Sequence, residues 1–142
     1  MSRIKLIEQA SYKFQHTLSV RMTDLNYGNH LANQVLVGYL NEARVRLFDQ
    51  LGCSELDLGD GQTGIILGDL AVNFKIEGLL FDQILIESQI DEISRKSFRL
   101  FYRLSKQGQI LALAETGIIA FNYQTRKAVP LPSVFLARLE AA

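Results

Sequence analysis

Apolar residues recur in two rhythms along this chain, and the switches between them mark its elements. Between positions 12 and 22 the sequence YKFQHTLSVRM puts Phe14, Leu18, Val20 and Met22 on one parity, the alternation of a half-buried strand. From about Ala32 to Leu51 the rhythm turns helical: Leu36, Leu40, Ala43, Leu47 and Leu51 recur every three or four residues as one apolar stripe. Asn33 or its neighbour suits the cap at the start of such a helix, and Gly52 suits a left-handed end. Past a loop at CSELDLGDGQTG, four strand-like runs follow over residues 64–76, 81–93, 96–106 and 109–123. In the second, Ile84, Ile86, Ser88 and Ile90 alternate with Leu85, Glu87 and Gln89. The separators EGLL, the SRK around Ser94 and KQGQ are short, which predicts consecutive antiparallel hairpins. The final PLPSVFLARLEAA, with Pro130 and Pro132 ahead of Ser133, predicts a short amphipathic helix. The pattern is α+β: a single domain over residues 1–142, with one long helix packed on a five-stranded antiparallel sheet.

Composition narrows the function classes. Of 142 residues, 15 are basic and 15 acidic, and 48% are hydrophobic, enough for one core without room for a second full domain. A formal net charge of zero removes the one-signed field on which nucleic-acid or anionic-membrane binding leans, so any acidic ligand must be met by local charges. Cys53 is the only cysteine, which excludes an intramolecular disulfide and makes the cytoplasm the expected compartment. MSRIKLIEQASYKF lacks the sustained apolar region of a signal peptide, and no apolar run approaches the ~20 residues of a membrane helix. There is no Gly-x-Ser-x-Gly elbow and no phosphate loop, and two histidines, at 16 and 30, are too few for a typical zinc site. No metal and no cofactor are expected.

The densest polar stretch is TDLNYGNH, residues 23–30, between the first strand and the helix. Asp, Asn and Gly either hydrogen-bond their own backbone or tolerate positive φ, so this is an ordered loop delivering the chain to the helix N-terminus.

Asp24, Asn26, Gly28, His30 and Asn33, followed on the helix by Asn41-Glu42-Ala43-Arg44, form the first of two telling stretches. The second runs from Asn73 to Pro132: NFKIEGLLFDQI, ISRKSFRLFYRL, ILALAETGIIAF and TRKAVPLP. In this order the chain resembles the hotdog-fold acyl-CoA thioesterases of the 4-hydroxybenzoyl-CoA thioesterase type. The resemblance covers most of the chain and implies hydrolysis of an acyl-CoA or acyl-carrier thioester, in a homodimer or homotetramer whose active site lies between subunits. It departs from the pattern at Asn26, where these thioesterases often place the catalytic carboxylate; an amide cannot act as a general base. Gly28 also comes one position early, with Asn29 before His30.

Under that reading the backbone amides of Asn33 and Gln34 would polarise the thioester carbonyl, helped by the helix dipole. Asn26 would orient water, and the candidate bases are His30, Asp24, Glu42 and Asp69. Each has a plainer alternative: a hydrogen-bonded junction for His30, a turn for Asn26, a loop cap for Asp24, an ion pair with Arg46 for Glu42, and a bulge after Gly68 for Asp69. Tyr27 and Gly28 are candidate substrate contacts, and Tyr39 and Phe48 are tunnel or core residues. Arg95, Lys96 and Ser97, with Arg126 and Lys127, would hold the phosphates of CoA, or else be solvated turns. Two competing functions stay open: a non-catalytic acyl-CoA binder, and a hydratase or dehydratase using His30 with Asp24.

Overall fold

The computed structural model describes all 142 residues. The elements follow in the order β1 (Phe14–Ser19), α1 (Asn33–Gln50), β2 (Gly64–Phe74), β3 (Gln83–Asp91), β4 (Ser97–Lys106), β5 (Gln109–Asn122), β6 (Lys127–Ala128) and α2 (Ser133–Ala141). In the sheet the strands lie β1-β3-β4-β5-β2, each neighbouring pair antiparallel, and the two-residue β6 adds to the end of β5. The expected α+β hotdog architecture is thus present, with β6 as a sixth strand.

Strands β3, β4 and β5 form sequential hairpins, but the hairpin expected across EGLL is absent: β2 pairs with β5, and β3 pairs with β1. At the β4–β5 turn Gln107 and Gly108 both take positive φ, 48° and 77°, which matches the twist of a two-residue hairpin. Strands β1 and β2 sit on opposite edges although only α1 and its loops separate them in sequence, so the helix has to traverse one face of the sheet.

The two periodicities meet in the core. The stripe Leu36, Leu40, Ala43, Leu47 and Leu51 is fully buried, and it faces the inward parity of the central strands: Ile84 and Ile86, Leu100 and Leu104, Ala114 and Ile118. Tyr39 and Phe48 are buried in the same cluster and so are core residues. Phe135 of α2 closes the core, its ring 5.6 Å from Phe98 and 6.2 Å from Phe48. Gly52 takes φ +73° directly after the helix. The outward parity carries charge instead: Arg99 pairs with Asp69 and Glu115, and Arg103 with Glu87 and Glu8.

Two local expectations are corrected. Met22 does not continue the first strand's buried parity; it is 79% exposed in a single 3-10 turn, Met22–Asp24, where the chain leaves the sheet. No side chain caps α1, whose capping position is Ala32. Along the edge strand β2, Leu67, Leu70 and Phe74 are exposed.

Candidate active site

The loop that enters α1 is held from below by Asp24. Its buried carboxylate accepts the Tyr39 hydroxyl at 2.7 Å and the Arg21 amide at 2.9 Å, and its carbonyl accepts the Ala32 amide at 3.0 Å. Burial opposes ionisation, but the Tyr39 and Arg21 donors outweigh it and hold the carboxyl below the usual range, while burial and Asp24 raise the Tyr39 phenol. Asp24 therefore clamps the loop to the helix, its buried carboxylate engaged by Tyr39 and Arg21.

Tyr39→Phe should lose about 1–2 kcal/mol of stability by removing a donor from this buried carboxylate. Because Asp24 titrates lower folded than unfolded, its contribution is complete above about pH 4 and fades as pH falls through the folded pKa. The deficit of the variant should be largest near neutrality and shrink toward pH 2, read from denaturant midpoints; a deficit that widens on acidification would contradict the clamp.

Above the clamp the loop folds on itself. The Asn26 amide donates to the His30 carbonyl (3.0 Å), the Asn29 amide to the Asn26 carbonyl (3.0 Å), and Asn26 Oδ1 accepts the Gly28 amide (2.9 Å). Asn29 completes the turn at φ +60°. A side chain on Gly28 would lie 3.1 Å from His30 Nε2 and 3.3 Å from Asn26 Oδ1, so the loop brings the Asn26 and His30 side chains together over this glycine. Tyr27 projects fully into solvent.

At the helix start, Val35 and Leu36 both donate to the Ala32 carbonyl (3.1 and 3.0 Å). The amides of Asn33 and Gln34 thus have no acceptor within the chain, with no side chain capping them. Asn33 and His30 line a cavity of about 200 Å³ together with Leu36, Phe74, Glu77 and Leu111. His30 Nδ1 lies 3.3 Å from the Leu31 carbonyl and Nε2 lies 4.0 Å from Glu77 Oε1, an ion-pair distance.

Glu77 is the site residue that the sequence reading missed. It belongs to the stretch between β2 and β3 read as a separator, and a hydrogen bond from the Leu31 amide to the Gly78 carbonyl (2.7 Å) carries it to the histidine. Gly78 permits that approach: a Cβ there would stand 3.0 Å from Leu31 Cβ and 3.4 Å from Leu111 Cδ1. Gly78→Ala should therefore cost about 1–2 kcal/mol by overpacking and spread the cavity; an unchanged thermal midpoint would show that the two segments are not in close contact.

The remaining candidates lie elsewhere in the chain. Glu42 is exposed and paired with Arg46 at 2.8 Å, and the two flank His16 of β1 rather than the cavity. Asp69 sits at a register shift of β2 after Gly68, about 17 Å along the strand from Phe74 at ~3.3 Å per residue. Its carboxylate chelates Arg99 Nη1 (3.1 Å to each oxygen) and accepts the Gly117 amide, and the Arg99 contact holds it below the usual carboxylate range. Ser97 shares a polar recess of about 450 Å³ with this pair. Arg95 and Lys96 precede β4, and Arg126 and Lys127 sit at β6. The Lys96 carbonyl accepts from Ala120 and the Arg95 carbonyl from Leu131, which gathers all four at one end of the sheet. That end is opposite the one where Leu111 lines the cavity.

Comparison with known proteins decides the family. The model of the thioesterase-like superfamily matches residues 20–139. The chain belongs to the thioesterase-like superfamily. Thioester hydrolysis is the activity this membership supports, as the resemblance implied. Among solved structures, a 1,4-dihydroxy-2-naphthoyl-CoA thioesterase from Synechocystis is similar at TM-score 0.79 and 20% identity, over 89% of this chain and 94% of that one. A gentisyl-coenzyme A thioesterase is similar at TM-score 0.76 and 23% identity, over 84% and 97%. A thioesterase from Thermus thermophilus, complexed with coenzyme A and Zn, is similar at TM-score 0.79 and 22% identity, over 94% and 96%. At these identities the likeness shows a shared fold. No curated protein matches the sequence. No helix of this superfamily member is long and apolar enough to cross a membrane, and no three His, Cys, Asp or Glu side chains gather as a metal site.

Proposed function

We propose that the chain hydrolyses an acyl-CoA thioester at the N-terminus of α1. The observation that carries this reading is the pair of unengaged amides at Asn33 and Gln34, with Asn33 lining one cavity together with His30 and Glu77. The thioester carbonyl oxygen accepts these two N–H groups, where the helix dipole also favours the charge that develops as water adds. Water is held at the Asn26 and His30 side chains. His30 takes its proton, and the Glu77 carboxylate stabilises the imidazolium that forms. Collapse of the tetrahedral intermediate breaks the C–S bond, and the proton passes from His30 to the thiolate, giving free acid and thiol. This assignment answers the departure at Asn26: the base is the imidazole at the other end of the loop, and the amide positions water.

The acyl group runs along the exposed apolar side of β2, past Phe74. The protein acts as an oligomer of at least two copies, a reading supported by the uncovered β2 edge. Two-fold pairing of β2 with itself is antiparallel, so it sets the Gly64 end of one copy beside the Phe74 end of the other. Only through such a pairing do Arg95, Lys96, Arg126 and Lys127 approach a helix start, one copy's basic residues serving the cavity of the next.

A non-catalytic binder would take up CoA without releasing thiol, and a hydratase would act on an enoyl-CoA while sparing saturated thioesters. Saturated and enoyl substrates of equal chain length, assayed side by side for thiol and for loss of the enoyl absorbance, separate the three. The hydrolase reading expects thiol from the saturated substrate and is overturned by enoyl consumption alone.

A further inference from the structure

Residues ahead of β1 form a strap against the sheet. Asn73 of β2 holds it by both ends of its amide, Oδ1 accepting from the Leu6 amide at 2.7 Å and Nδ2 donating to the Ile4 carbonyl at 2.9 Å. Glu8 ties it to β4 by accepting from Arg103 at 2.8 Å. Between the strap and the end of β2 lies a cavity of about 1000 Å³, lined by Arg3, Lys5, Leu6, Ile7, Phe74 and Lys75 among others and by no acidic residue.

Two features make this cavity more than a gap. First, the basic side chains of a neutral protein are mostly committed: Arg21, Arg44, Arg46, Arg99, Arg103 and Lys106 to carboxylates, Lys13 and Arg138 to backbone carbonyls. Of the seven that have neither, Arg95, Lys96, Arg126 and Lys127 lie at the far end of the sheet, and Arg3, Lys5 and Lys75 all line this cavity. Second, Phe74 and Lys75 line this cavity and the one at the start of α1 alike. The two spaces are thus neighbours, with Phe74 and Lys75 between them at the end of β2.

We propose that the strap cavity is the phosphate subsite of the thioester site. It takes the phosphorylated nucleotide end of the thiol carrier, with Arg3, Lys5 and Lys75 on the phosphates and Leu6, Ile7 and Phe74 against its apolar parts. The proposal rests on the thioester reading of the neighbouring cavity. Lysine and arginine are the side chains that hold phosphate oxygens by charge-assisted hydrogen bonds, and unpaired cations give up no carboxylate contact to do so. Placement within one chain distinguishes this subsite from the Arg95, Lys96, Arg126 and Lys127 group, which needs a second copy.

Binding of CoA and of adenosine 3′,5′-bisphosphate, measured by calorimetry, tests it without requiring turnover. The combined Arg3→Ala, Lys5→Ala and Lys75→Ala variant should weaken both about tenfold or more. Asn73→Ala, which releases the strap, should weaken both in the same direction, and Arg46→Ala, which removes a cation paired with Glu42 on another face, should leave them unchanged. Unchanged binding in the triple variant, or equal competition by inorganic phosphate alone, overturns the subsite. Acyl-CoA hydrolysis with unchanged KM in the triple variant refutes this proposal and leaves the hydrolase standing. Tight bisphosphate binding lost in the triple variant, with no thioester cleaved by the wild type, refutes the hydrolase and leaves an anion site.

Discussion

Asn33→Pro should lower kcat for acyl-CoA hydrolysis by about 10²–10³-fold while the protein folds as well as the wild type. The expectation follows from helix geometry. Asn33 is the first helical residue, the position at which proline is well tolerated because its amide has no intrahelical acceptor. Proline also constrains the residue before it to extended backbone, and Ala32 already has φ −69° and ψ 143°. The substitution thus deletes one N–H from the proposed oxyanion site with little disturbance of the backbone, and loss of a single such donor typically costs that factor. Asn33→Ala keeps the amide and should stay within a few-fold of wild type. Equal loss in both variants would move the role from the backbone to the Asn33 side chain; no loss in either would remove the helix start from the chemistry.

His30→Gln should lower kcat by about 10²–10⁴-fold with little change in KM, the loss expected when a positioned general base is removed. Glu77→Gln should cost less, since its carboxylate stands 4.0 Å from the imidazole and acts through it. The double variant should be no slower than His30→Gln alone, because Glu77 has nothing to stabilise once the imidazole is gone. Multiplying losses would show that Glu77 acts on water directly and that the two residues are separate bases.

The parts of this molecule that were legible in the sequence are those set by local periodicity. The Leu36 to Leu51 stripe is buried as its spacing requires, and Ile84, Ile86, Ser88 and Ile90 face inward together. The turn at Asn26 to Asn29 follows from residue types that bond their own backbone. Strand order was misread at EGLL: its shortness predicts a β2–β3 hairpin, but β2 crosses to the far edge and pairs with β5, a tertiary choice that the alternation of residues 64–76 does not encode. Met22 keeps the parity of the first strand but leaves it, because the Asp24 carboxylate accepts the Arg21 amide and closes a 3-10 turn.

The same distinction holds at the site. His30, Asn26, Asn33 and Gln34 are near one another in sequence, and the structure keeps them together. Glu77 joins them only through the hydrogen bond between Leu31 and Gly78, a tertiary contact with no local signature. Asp69 and Glu42 have the right chemistry but are neutralised on other faces by Arg99 and Arg46. The strap carried no periodic pattern, and the value of Arg3 and Lys5 emerges only when Asn73 fixes it against β2.

The most direct test of the central claim is thiol release by the purified protein from short, medium, long and aromatic acyl-CoAs, with Cys53→Ser as the control for the protein's own thiol. The account expects catalytic turnover of at least one class, retained in Cys53→Ser and lost in Asn33→Pro. Tight acyl-CoA binding with no thiol released from any of them would contradict it and identify the chain as a binding protein.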